Sequence, residues 1–89
     1  MSVKQGQVSV GTTATLLDQA MSGVDKVAML VRNRGTGVVY LGGADVSSAN
    51  GLQLDVGDAV TLEAETYSVG LYGRAASGTQ AVHVLQVGV

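Results

Sequence analysis

Short runs in which polar and apolar residues alternate recur along the chain, and turn residues separate them roughly every 8–12 residues. A period of two is typical of β-strands that bury one face. We therefore predict an all-β fold, a small antiparallel β-sandwich or barrel of about seven to eight short strands. It forms a single domain over residues 1–89, in which residues 1–10 could be an N-terminal arm. The predicted strands are Gln7–Val10, Ala14–Leu17, Lys26–Asn33, Val38–Leu41, Leu52–Leu54, Ala59–Glu65, Tyr67–Arg74 and Gln80–Val87.

Glycine-centred turns set the predicted boundaries of these strands. Glycine supplies 13 of the 89 residues and proline is absent, so glycine is the main residue that lets the chain reverse its direction. Asn50-Gly51 and Val56–Asp58 predict tight turns. Arg34–Gly37 predicts a β-hairpin between the strands that flank it. A single helical turn is predicted over Asp18–Gly23, with the glycine as its C-terminal stop.

Two of the predicted strands, Val27–Val31 and Ala81–Val87, are apolar on both faces. A strand in a two-layer sandwich buries only one of its two faces, so only that face needs to be apolar. Two explanations stay open: a loop of the same chain covers the second face, or an oligomer or a larger assembly buries it. Under the second explanation, the predicted interface residues are Val27, Met29, Val31, Ala81, His83, Leu85 and Val87.

The charge of the chain narrows the classes of partner. Only 13% of the residues are charged, and the net charge is -2 at pH 7. The 5 basic residues are scattered and form no stripe, so we predict no nucleic-acid binding. Apolar runs stay well short of the roughly 20 residues that span a bilayer, so we predict no membrane partner. Cysteine is absent, which excludes disulfides and thiolate metal sites.

Candidate catalytic and metal-binding residues are few. His83 is the only histidine and no nucleophile-elbow pattern accompanies it, so we predict that the protein is not an enzyme. Asp45, Asp55 and Asp58 faintly resemble a calcium loop, but the ligand and glycine positions of an EF-hand are not met. We therefore predict no metal and no cofactor, with a cation near these aspartates as the alternative.

A series of turn and strand motifs carries a family resemblance over roughly the last three-fifths of the chain. In order, they are Asn33-Arg34-Gly35, Val39-Tyr40-Leu41-Gly42-Gly43, Asn50-Gly51, Gly57-Asp58-Ala59-Val60-Thr61-Leu62, Leu71-Tyr72 and Val82-His83-Val84-Leu85. This order resembles small β-structured proteins encoded among the virion genes of tailed bacteriophages.

The resemblance implies a virion structural protein that assembles in the host cytoplasm. We expect a capsid decoration, or minor capsid, protein that stabilises the shell through protein contacts. Its expected partners are the major capsid protein and further copies of itself, with a trimer favoured among the homo-oligomers. A tail or head–tail connector subunit is the structural alternative. A carbohydrate-binding module for host recognition is the alternative of another class, with Tyr40 and Tyr72 as its candidate residues.

Overall fold

Eight β-strands in two antiparallel sheets make up the described part of the chain, which in this computed structural model is residues 2–18, 26–63 and 70–88. The predicted all-β sandwich is therefore confirmed. Most of the helical turn predicted over residues 18–23 lies outside the described residues. The strands are β1 Ser2–Val10, β2 Thr15–Leu16, β3 Lys26–Asn33, β4 Val39–Gly42, β5 Leu52–Leu54, β6 Ala59–Glu63, β7 Tyr72–Ala75 and β8 Gln80–Gly88.

The order of the strands follows from folding one long hairpin over on itself. The first sheet has the order β1-β8-β3-β6, and the second has the order β2-β7-β4-β5. The antiparallel pairs are nested: β4 with β5, β3 with β6, β2 with β7 and β1 with β8. This is the arrangement of an eight-stranded jelly roll, in which two sheets share one core.

The inner faces of the two sheets form an aliphatic core. Valine dominates the part from the first sheet because its stiff β-branched side chain fits a pleated surface. Burying each such side chain fully contributes roughly 1.5–3 kcal/mol. The buried core residues are Val10, Leu17, Met29, Val31, Val39, Leu41, Leu54, Leu71, Ala75, Val82 and Val84.

The hairpin predicted at Arg34–Gly37 is wrong, because the chain crosses here from the first sheet to the second. The cause is the side chain of Asn33, which is fully buried at the end of β3. Its Nδ2 donates hydrogen bonds to the carbonyl oxygens of Gly37 (2.8 Å) and Leu54 (2.9 Å), and its Oδ1 accepts one from the amide of Gly35 (2.9 Å). These bonds hold the crossover against the second sheet.

A second buried amide, that of Gln80 at the start of β8, holds the same crossover from the other side. Its Oε1 accepts hydrogen bonds from the backbone amides of Thr36 (2.7 Å) and Gly37 (3.1 Å). Its Nε2 donates to the carbonyl oxygen of Ser77 (3.1 Å). Two side-chain amides therefore satisfy backbone groups that a hairpin would have satisfied through its own ladder.

The turns predicted after β4 and β5 are confirmed. In the first, Oδ1 of Asn50 accepts a hydrogen bond from the amide of Ser47 (2.7 Å). In the second, Gly57 has a φ of 84°, and the amide of Asp58 donates to the carbonyl oxygen of Asp55 (2.9 Å). The left-handed φ explains why glycine stands at position 57.

Candidate functional site on the outer face of the first sheet

The first sheet presents a broad surface on the side that faces away from the core. Because side chains alternate along a strand, the residues between the buried valines point to this side. We call this surface the outer face. Its residues are Val3, Gln5, Gln7 and Ser9 of β1, Ala81, His83, Leu85 and Val87 of β8, Ala28, Leu30 and Arg32 of β3, and Ala59 and Thr61 of β6.

A shallow groove of about 430 Å³ lies in the middle of the outer face, over β8. Leu85 remains 40% exposed in it, so its side chain is available to a partner. The groove combines apolar, amide and cationic groups, which is the chemistry of a protein-binding surface. The side chains that line it are Gln5 and Gln7 from β1, His83 and Leu85 from β8, and Leu30 and Arg32 from β3.

The strand register sorts these side chains into two neighbouring rows. Gln7, His83 and Arg32 lie side by side across the sheet and form a polar row. Nε2 of His83 lies 3.0 Å from Oε1 of Gln7, so the ring donates to the amide in the tautomer that carries hydrogen on Nε2. This contact orients the imidazole of His83 toward β1.

The second row passes through the centre of the groove. Leu85 lies between Gln5 on one side and Leu30 on the other, and Leu30 is followed by Thr61. The two leucines form an apolar centre, and amide, hydroxyl and cationic groups surround it. An apolar centre with a polar rim is the common anatomy of protein interfaces.

The structure separates the predicted interface residues into two groups. Met29 and Val31 point into the chain's own core, with 3% and 0% of their surfaces exposed. Ala81, His83, Leu85 and Val87 lie on the outer face, so these four stay predictions as contact residues. The side chain of Val27 lies outside the described part of the structure. On β3, the outward positions belong to Ala28, Leu30 and Arg32.

A valine-to-alanine pair tests this separation. Val31→Ala should lower the free energy of unfolding by about 2 kcal/mol, because it removes fully buried methyl groups between Val60 and Val84. Val56→Ala, at a residue that is 53% exposed, should change it by less than about 0.5 kcal/mol. Urea denaturation of dilute protein measures both. Equal effects from the two substitutions would contradict a core position for Val31.

The arrangement holds neither a nucleophile–base pair at His83 nor a metal centre among the described residues. His83 contacts an amide, whereas a catalytic histidine needs a nucleophile on one side and an orienting group on the other.

Within residues 2–18, 26–63 and 70–88, no three His, Cys, Asp or Glu side chains come close enough to hold a metal ion. Asp55 and Asp58 share the β5–β6 turn, and Asp45 lies in the β4–β5 loop. Oδ1 of Asp55 accepts a hydrogen bond from Nε2 of Gln53 (2.8 Å).

The outward side of the second sheet is partly covered by the chain itself. Val46, from the loop between β4 and β5, is 4% exposed and packs over Gly42. Tyr40 and Tyr72 lie on this side, both half-buried, and the turn at Gly51 contacts Tyr40. The outer face of the first sheet is therefore the more open of the two surfaces. In the described residues, no helix is long and apolar enough to cross a membrane.

The predicted interface residues did not include four of the groove residues, which are Gln5, Gln7, Leu30 and Arg32. Alternation along β3 places Leu30 and Arg32 opposite Met29 and Val31, and that signal was present in the sequence. The pairing of β1 with β8 leaves no such signal in the sequence, because the two strands lie at opposite ends of the described chain.

No protein-family model matches the chain, and comparisons with curated proteins and with solved structures also give no match.

Proposed function

We propose that the chain is a structural protein of a tailed-bacteriophage virion, a decoration or minor capsid protein that binds the major capsid protein and stabilises the shell. The observation that carries this proposal is the open outer face, with two leucines at its centre and a polar row beside them. The protein acts by binding, without catalysis or a cofactor, and joins the virion in the host cytoplasm.

The fold is consistent with this role. Jelly rolls of two four-stranded sheets build many viral capsid proteins, and they also occur in lectins and cupins. Fold alone does not specify function, so the surface has to decide among these roles. A shell protein needs a stable sandwich with one exposed face for a neighbour, and the outer face of the first sheet is such an exposed face.

The chemistry of the outer face defines the surface that it fits. Leu30 and Leu85 require an apolar patch on the capsid protein, since burying apolar area contributes roughly 25 cal/mol per Å². Arg32 is exposed beside them and requires a carboxylate or a carbonyl group. Symmetry repeats such a contact over the shell, so a modest affinity per copy is sufficient for cementing.

A leucine-to-lysine pair tests the outer face directly. Leu85→Lys should weaken binding to undecorated shells by about tenfold or more, because it removes an apolar anchor and places a charge in the contact. Leu52→Lys should leave binding unchanged, since Leu52 is 57% exposed at the edge of the other sheet. Co-sedimentation with shells measures the affinity, and thermal unfolding checks that both variants fold. Equal binding by both variants would exclude the outer face as the contact.

The copy number in purified virions tests the role itself. A decoration protein should be present at on the order of hundreds of copies per particle, because it follows the symmetry of the shell. A few tens of copies or fewer would favour the tail or head–tail connector subunit. Quantitative mass spectrometry of purified particles separates these outcomes, and absence of the chain from the particles would overturn both.

Carbohydrate binding is the second candidate, supported by the tyrosines of the second sheet. Tyr40 pairs with Arg74, and Tyr72 lies two residues before Arg74 on the same strand, so all three side chains share one side of the sheet. Sugar sites often use such aromatic faces. Here Tyr40 is half-buried and the Gly51 turn lies against its Cβ, which leaves less of this residue for a ligand. Glycan-array binding that is lost on Tyr72→Ala would favour this candidate.

A further inference from the structure

The two sheets have four edges among the described residues, and one of them differs from the rest. The edge strands β2, β5 and β6 have 2, 3 and 5 residues. The edge strand β1 has 9 residues. Short edge strands are one of the devices by which proteins prevent pairing with foreign strands. Strand β1 lacks that protection.

Strand β1 also lacks the other protective devices. Its register against β8 runs from Ser2 to Val10 without a bulge, and it contains no proline. Lys4 is its only charged residue. Most of its described side chains are exposed, and Val3 has 59% of its surface accessible. A long, regular and nearly uncharged edge presents a row of backbone groups that a further strand can pair with.

The sequence of β1 suits pairing with a second copy of itself. Gly6 is the central residue of the strand, with four residues on either side of it. An antiparallel pair with its twofold axis at Gly6 therefore matches all nine residues and leaves no overhang. In that register, Gln5 of one copy lies opposite Gln7 of the other, on the outer face, and the two amides can exchange hydrogen bonds.

We propose that two copies of this chain pair through β1, antiparallel and centred on Gly6, to form one continuous eight-stranded sheet. The contact is isologous and each chain has one such edge, so the assembly closes after two copies. The geometry thus points to a twofold dimer in place of the trimer that the sequence alone favoured. The pairing leaves the outer face open and does not depend on the proposed virion role.

Charge substitutions at positions 5 and 7 test both the dimer and its register. Gln5→Lys with Gln7→Lys places like charges opposite each other twice, and should raise the dissociation constant of the dimer at least about tenfold. Gln5→Lys with Gln7→Glu places opposite charges at these facing positions and should restore the dissociation constant to within about threefold of the wild-type value. Gln53→Lys with Ser48→Lys adds the same charge at exposed positions of the second sheet and its β4–β5 loop, away from β1, and should leave the dissociation constant unchanged.

Sedimentation velocity over a concentration series measures these constants, and hydrogen exchange identifies the strand. In the wild-type chain, β1 amides that point away from β8 should become more protected as the protein concentration rises. A wild-type monomer at about 100 µM overturns the proposal. The proposal is also overturned if Gln5→Lys with Gln7→Lys changes the dissociation constant of the dimer no more than the control pair does. Protection of β1 only after addition of a different protein would assign the edge to a foreign strand, and would overturn the dimer as well.

Discussion

Asn33→Ala should lower the free energy of unfolding by about 3–5 kcal/mol, a large share of the total for a domain of this length. The substitution removes three hydrogen bonds and leaves the carbonyl groups of Gly37 and Leu54 and the amide of Gly35 without their side-chain partner. Each buried group that loses its partner costs about 1–3 kcal/mol, more than an ordinary hydrogen bond contributes. The bond to Leu54 is buried and those to Gly35 and Gly37 are partly buried, so water replaces these bonds only in part without local opening.

The matched control is Asn50→Ala. Asn50 also binds backbone through its Oδ1, but it is exposed in the β4–β5 loop and water replaces the lost contacts. We expect Asn50→Ala to lower the free energy of unfolding by less than about 1 kcal/mol. Urea denaturation monitored by circular dichroism gives both values. A loss at Asn33 no larger than that at Asn50 would show that the buried amide does not hold the crossover.

The sequence predicts the strands of this protein well because alternation and turn residues are local signals. The predicted strand Lys26–Asn33 has the same bounds in the structure, and Leu52–Leu54 does as well. The segment proposed as an N-terminal arm forms β1 over residues 2–10. Alternation alone does not distinguish an arm from an edge strand, since the difference depends on whether a distant strand, here β8, pairs with it.

The assignment of strands to sheets was the part that the sequence did not predict. The glycine-rich segment Arg34–Gly37 after β3 has the composition of a hairpin turn, and the local signal favoured a hairpin. That segment is bound by Asn33, which also donates to the carbonyl oxygen of Leu54, and by Gln80. Leu54 and Gln80 are both distant from the segment in the sequence. A buried amide that binds backbone at long sequence separation leaves no periodic pattern to detect.

The candidate site was predicted in part for the same reason. Both faces of β3 and β8 are apolar, so the sequence did not distinguish the inner from the outer one. Burial in the structure assigns Val31 and Val84 to the core, and Leu30 and Leu85 to the groove. Gln7 joins the site only through the pairing of β1 with β8, whereas the outward position of Arg32 follows from alternation along β3.

Gly35→Ala should lower the free energy of unfolding by about 3 kcal/mol, because the crossover has no space for a Cβ atom at this position. An added Cβ would collide with Oε1 of Gln80 and lie 2.8 Å from its Cβ and 3.1 Å from its Cα. The side chain of Gln80 can rotate, but its Cα cannot move without shifting the start of β8. Rotation would also break the hydrogen bonds from Oε1 to the amides of Thr36 and Gly37.

Gly11→Ala provides a control with the same chemical change. An added Cβ at Gly11 has no atom within 4 Å, so the folded state accommodates it. Alanine also restricts the unfolded chain more than glycine, and we expect stability to change by between zero and a gain of about 1 kcal/mol. Urea denaturation of the two variants compares them directly. Similar stabilities would mean that β8 shifts freely at Gln80, and would contradict the role of its amide as the second anchor of the crossover.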